Sequence, residues 1–177
     1  SELARDAKLT AATTARYLGL LELSFVSSRL PPFLNNRSSR LIKSPKFYMS
    51  DSGLACHLSG VAGQALLRSF PSFGALFETY AWNNLAAILA AHRPEAGLSF
   101  WGVQGRHEVD FVIESGAACW AVEVKAAERW DARDLAGLKA FLEHVPNCKA
   151  AVFAYNGKVP VRLGEKLWAL PLGLLLS

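Results

Sequence analysis

The chain has 177 residues, 51% of them hydrophobic and 19% charged, a balance that excludes a disordered chain and suffices for one full-sized core or two small ones. The three cysteines, Cys56, Cys119 and Cys148, are odd in number and widely spaced, which argues against a disulfide framework or a zinc knuckle and makes a reducing cytoplasm the expected compartment. The net charge of +4 is lopsided: residues 1–50 carry +5 and the remainder −1, the asymmetry expected if the first third meets a polyanion such as DNA.

In chain order, SELARDAK and LTAATTARYLGLLELS predict two helices separated by a turn at Leu9-Thr10, with Thr10 as N-cap and Tyr17, Leu18 and Leu21 as an apolar stripe. The segments FVSSRLPPF and KFYMSD alternate like strands around a polar basic loop, FLNNRSSRLIKSP. That outline predicts a winged helix over residues 1–62. Arg37, Arg40, Lys43 and Lys46 are its candidate nucleic-acid-binding residues, with a small protein-binding module as the plainer reading of the same pattern. Its first helix would lie upstream, so the chain is expected to be a piece of something longer.

Residues 63–177 open on a connector and a long helix from Gly74. Strands follow at about 98–103, 107–114 and 118–125, then a helix near 132–144, a strand at 149–155 and short closing strands. This is the order of an α/β sandwich. The apolar stretches at 75–91 and 167–176 are interrupted by polar residues or too short to span a bilayer, so no membrane partner is expected.

The stretch HEVDFVIESGAACWAVEVK, residues 107–125, sets Asp110, Glu123 and Lys125 among strand-forming residues. Strict alternation places Asp110, Val112 and Glu114 on one face and Val109, Phe111 and Ile113 on the other, while Glu123 and Lys125 share a face. With a loop over 115–118 and Glu114 paired with Cys119, Asp110 falls opposite Glu123. Two carboxylates about 5 Å apart repel by roughly 3 kcal/mol at an effective dielectric near 20, more than strand propensity offsets. A hard divalent cation would compensate, because Mg²⁺ takes one or two carboxylates and keeps several waters. Lys125 is then placed to contact a phosphate or an attacking water. The plainer reading is a surface hairpin in which Lys125 pairs with a neighbouring acid; the apolar flanks FVI and WAV weigh against it. A fourth ionisable group comes from the long helix, where Glu78 projects from the stripe of Trp82, Leu85 and Leu89, with a satisfied salt bridge or a mis-phased helix end as the plainer reading.

Glu78, then Val109-Asp110, then twelve residues, then Glu123-Val124-Lys125 resembles the PD-(D/E)xK phosphodiesterase pattern, with Val109 where many members have proline. The resemblance implies that Asp110 and Glu123 bind Mg²⁺ or Mn²⁺, that Lys125 assists the attacking water and that Glu78 is a third acid. The linked blocks ARYLGLLELSFVSSRLPPF, RLIKSPKFYMSDSGL, GALFE and EVDFVIE…AVEVK are similar to the C-terminal region of a family of prokaryotic AAA-type ATPases. This implies an α/β fold: a restriction-endonuclease-like α/β/α core preceded by a winged-helix domain, with an ATPase domain upstream in the same chain. No G-x-x-x-x-G-K-[ST] occurs here, so no ATP site is expected in residues 1–177.

Other chemistry fits poorly. His57, His92, His107 and His144 lack paired-ligand spacing, and no G-x-S-x-G elbow is present. Arg106 and His107 flank the hairpin, where they could approach a phosphate, with edge-of-strand surface groups as the plainer reading. Trp101, Trp120 and Trp130 are spaced as core aromatics more than as base-stacking platforms. The expected function is a Mg²⁺-dependent nuclease; the alternative is a non-catalytic DNA-binding or regulatory module that retains the nuclease fold.

Overall fold

The computed structural model describes residues 2–33, 44–61, 63–103 and 106–177. Two helices, α1 (Glu2–Asp6) and α2 (Ala11–Leu23), open the chain. Thr10 caps α2 as its sequence predicts, its Oγ1 accepting from the Thr13 amide at 3.1 Å. The expected stripe on α2 is largely uncovered: Tyr17 is 55% and Leu21 40% exposed, and Thr14 is the buried residue of this helix. Strands β1 (Ser27–Leu30) and β2 (Lys46–Met49) pair antiparallel, Ser27 opposite Met49 and Leu30 opposite Lys46. Arg37, Arg40 and Lys43, on the loop between them, lie outside the described residues. Two short helices follow, α3 (Ser52–Leu58), capped by the Asp51 carboxylate on the Leu54 amide, and α4 (Gln64–Ser69).

The remaining elements are α5 (Phe73–His92), β3 (Gly97–Val103), β4 (His107–Ser115), β5 (Ala118–Lys125), α6 (Ala136–His144), β6 (Cys148–Tyr155), β7 (Val161–Arg162), β8 (Leu167–Pro171) and α7 (Leu172–Leu175). They form a mixed α/β structure on a six-stranded sheet of order β3-β4-β5-β6-β8-β7. β3, β4 and β5 are an antiparallel meander; β6 lies parallel to both β5 and β8, and β7 closes the edge antiparallel to β8. The β4–β5 turn is tighter than predicted, because Ser115 pairs with Ala118 and leaves Gly116-Ala117 as the loop. Gly116 takes φ 58°, which a glycine adopts without a Cβ penalty. The predicted register, Glu114 opposite Cys119, is retained.

Each face of the sheet packs on one helix. On one side Ala81, Trp82 and Leu85 of α5 meet Phe111, Val122 and Ala154. On the other, Leu138 and Phe141 of α6 meet Val109, Val112, Ala121 and Phe153. Burying side chains of this size contributes about 1.5–3 kcal/mol each. The first segment belongs to both cores: Leu30 and Tyr48 enter the α5 side and Phe33 the α6 side. Pro31–Phe33 also covers the β3 edge, with the Phe100 amide donating to Pro31 O at 3.0 Å and the Phe33 amide to Phe100 O at 2.5 Å. The division expected at residue 62 thus separates segments that share their packing.

Strict alternation fails in β4. Ser99 pairs with Val112 but Trp101 with Val109, so Phe100 alone faces two residues, Asp110 and Phe111. This is a β-bulge. It explains why Val109 and Val112, three apart, share the α6 core while Phe111 joins the α5 core. The expectation that Asp110 and Val112 point one way and Val109 and Phe111 the other is therefore corrected by one extra residue.

α6 lies tight against this bulged strand, because a Cβ on Gly137 would come within 2.1 Å of the Glu108 carbonyl oxygen. Gly137→Ala should therefore destabilise the protein by about 1–3 kcal/mol, the usual cost of overpacking, read as a lower urea midpoint at unchanged m-value. Unchanged stability would mean that α6 does not approach β4 this closely.

Candidate functional site

β4 and β5 stop pairing where the charged residues begin. Their ladder runs from Ser115–Ala118 to Phe111–Val122; beyond it, residues 107–109 pair with β3 and residues 123–125 with β6. The bulge bends β4 away, and Asp110 and Glu123 are the first residues past the split. The side chain of Asp110 replaces one of the missing main-chain bonds: the Val124 amide donates to Asp110 Oδ2 at 2.9 Å. Asp110 is 7% exposed, and Glu123 Oε2 is buried with no hydrogen-bond partner.

Asp110 also reaches the α5 side. Lys46 Nζ donates to Asp110 Oδ1 at 3.2 Å and to Glu78 Oε1 at 3.1 Å, and lies 2.5 Å from Glu108 Oε1. Tyr48, two residues along β2 and on the same face, donates its hydroxyl to Glu78 Oε1 through a short contact. Its ring stacks on Trp82 at 5.3 Å, one α5 turn from Glu78. The charge of Lys46 is therefore spent on three acids and is not presented to solvent from the basic loop to which its sequence position assigns it.

On the α6 side, Glu123 and Lys125 line an open cleft of about 270 Å³ together with Arg106, His107, Glu108, Arg133, Asp134 and Gly137. Lys125 Nζ is 2.6 Å from Asp134 Oδ1, and the second Asp134 oxygen accepts from the Asp131 amide at 3.0 Å. The Lys125 hydrogen bond, first among several causes, holds the Asp134 carboxyl below its ordinary value.

Burial dominates the electrostatics of the paired acids. It raises Asp110 to about 6, assisted by Glu78 and opposed by Lys46. It raises Glu123 to about 9, assisted by the charge of Asp110, so Glu123 holds a proton at neutral pH. Lys46 is itself raised: burial works against its charge, but Asp110 and Glu78 outweigh it.

The four residues predicted to converge are thus brought together unequally. Asp110 and Glu123 adjoin; Glu78 meets Asp110 through Lys46; Lys125 shares the cleft with Glu123 but pairs with Asp134. Tyr48, Glu108 and Asp134 join the cluster without having been predicted. Lys46 and Tyr48 form a Lys-x-Tyr on one strand face, a spacing that by itself does not tell a buried ammonium from an exposed one. Glu108 and Asp134 carry no such spacing. The donor set suits a hard cation: carboxylate oxygens, one of them buried and unpaired. Among the described residues, no three His, Cys, Asp or Glu side chains are grouped closely enough to hold a metal ion on their own, so a cation here would rest on two carboxylates and water. No helix among the described residues is long and apolar enough to cross a membrane.

Residues 73–175 match the family described as Domain of unknown function (DUF4143), and the chain belongs to that family. Residues 1–65 match a second, Domain of unknown function (DUF8612). Two curated relatives, Uncharacterized protein Mb2031c of Mycobacterium bovis and Uncharacterized protein Rv2008c of Mycobacterium tuberculosis, are each 33% identical over 125 residues. The match covers 71% of this chain but only 27% of each relative. No solved structure matches.

The raised carboxyls fix the sign of a pH effect. From ordinary values of 3.8 and 4.5, Asp110 and Glu123 bind protons more tightly in the folded protein than in the unfolded chain, so their contribution to stability is greatest at low pH and is lost as pH rises through about 6 and then about 9. Glu123→Gln removes the second part of that slope. In urea titrations from pH 5 to pH 9, E123Q should gain on the wild type steadily as pH rises; parallel pH profiles would contradict the raised Glu123.

Proposed function

We propose that this chain carries a divalent-metal-dependent phosphodiesterase domain acting on DNA. The observation that carries this reading is the split between β4 and β5, where Asp110 adjoins Glu123, and Glu123, with its buried and unpaired Oε2, lines a cleft together with Lys125, Arg106 and Arg133. An α5 helix on one face, α6 on the other and a β3-β4-β5 meander between them support a restriction-endonuclease-like core. Helix, turn, helix and a two-stranded hairpin support a winged helix before it. An ATPase domain elsewhere in a longer chain belongs to the same proposal, as does action in the cytoplasm.

In this reading Asp110 and Glu123 hold Mg²⁺ or Mn²⁺. When bound, the ion supplies Lewis acidity at a phosphoryl oxygen and lowers the pKa of a coordinated water. The chain's own residues do the rest. Asp134 orients Lys125, whose side chain is 46% exposed and lines the cleft, where it balances charge on an arriving phosphate. Arg106 and Arg133 line the same wall and offer contacts to neighbouring phosphates. Glu78 takes no cation directly; it anchors Lys46 and Tyr48 behind Asp110.

A second reading, a non-catalytic DNA-binding or regulatory module, is favoured by one observation: Lys46 already balances Asp110, Glu78 and Glu108. Cleavage separates the two. With Mg²⁺ or Mn²⁺ and plasmid, single-stranded and branched DNA, Asp110→Asn and Lys125→Ala should each lower the cleavage rate about 100-fold or more. Equal rates in wild type and both variants would leave the non-catalytic module.

The excess of positive charge in residues 1–50 motivates a separate test of binding. DNA affinity should fall steeply between 50 and 200 mM salt, as counterion release requires, and fall further on reversing Arg40 and Lys43. Affinity indifferent to salt would redirect the search to a protein partner.

A further inference from the structure

We propose that Lys46 is a resident counter-ion of the acid site, which a divalent cation must displace before it can bind Asp110. The inference rests on the metal-dependent reading above and adds a residue to it. Asp110 has two oxygens: Oδ2 is held by the Val124 amide, and Oδ1 is the one Lys46 holds, at 3.2 Å. A metal arriving at Oδ1, the oxygen without a main-chain bond, meets the ammonium there. Mg²⁺ sits about 2.0–2.1 Å from its oxygens, so an ammonium and the ion cannot share that oxygen without strong repulsion.

Lys46 has somewhere to go. Its Nζ also lies 2.5 Å from Glu108, whose side chain is 45% exposed and lines the cleft mouth. Leaving Asp110 for Glu108 keeps the ammonium paired while it clears the seat. The same movement brings it toward the wall where a phosphate would lie. Lys46 stands at the first position of β2, and its ammonium passes 5.5 Å from the Phe100 ring, opposite the bulge that sets Asp110 in place. The counter-ion comes from the segment that matches DUF8612, whereas the acids come from the segment that matches DUF4143. Loading of the site is thereby tied to how the first segment is seated.

The test is a Mn²⁺ titration followed by electron spin resonance, on wild type, Lys46→Met, Lys46→Arg and the double variant K46M/E123Q. K46M should bind Mn²⁺ about ten-fold tighter or more, K46R should remain near the wild type, and K46M/E123Q should lose the gain. If wild type binds Mn²⁺ and K46M binds it equally or more weakly, the counter-ion role is overturned while the metal site stands. If neither binds, both are overturned. Should K46M fail to fold without metal, Lys46→Gln replaces it, and a larger Mn²⁺-induced rise in melting temperature than in wild type is the same expected result; an equal or smaller rise overturns the role.

Discussion

The site depends on two strands that part company. β4 and β5 share a ladder as far as Phe111–Val122 and then diverge, because one extra residue opposite Phe100 bends β4 aside. Unpaired main-chain groups inside a sheet are costly, and here the Asp110 carboxylate takes the Val124 amide in place of a carbonyl, with Glu123 packed beside it. The substitution satisfies the backbone but packs two acids into a dry space. Their raised affinity for protons, the unpaired Glu123 oxygen and the recruitment of Lys46 all follow from it.

The surrounding fold serves to keep that split in shape. Gly137 lets α6 close on the Glu108 carbonyl from one side, and the Tyr48–Trp82–Phe111 aromatic group fills the other. Asp134 fixes Lys125 at the rim. Each support comes from a different element, so the site is an assembled feature of the whole sheet and not of the hairpin alone.

Much of this architecture could be read from the sequence. Alternation gave the strands of the meander, Thr10 located the start of α2, and the register of the β4–β5 hairpin followed from Ser115–Ala118. What could not be read has physical causes. A bulge leaves no mark on a run such as Val-Asp-Phe-Val, whose three apolar residues are strand formers in either register; only the Phe100 mismatch in space reveals it. Lys46 is thirty-two residues from Glu78 and sixty-four from Asp110, and nothing local distinguishes a buried ammonium from one on a basic loop. The open stripe on α2 has a related cause: helical periodicity marks which side is apolar, not whether anything covers it.

The edge pairing of Pro31–Phe33 has a mechanical meaning. These residues grip β3 at Phe100, the position across from the kink in β4, so the first segment is fastened to the sheet beside its weakest seam. A pull on that segment would be felt there first, long before it reached β7 on the far margin. The N-terminal third is in that sense joined to the strand that borders the acids.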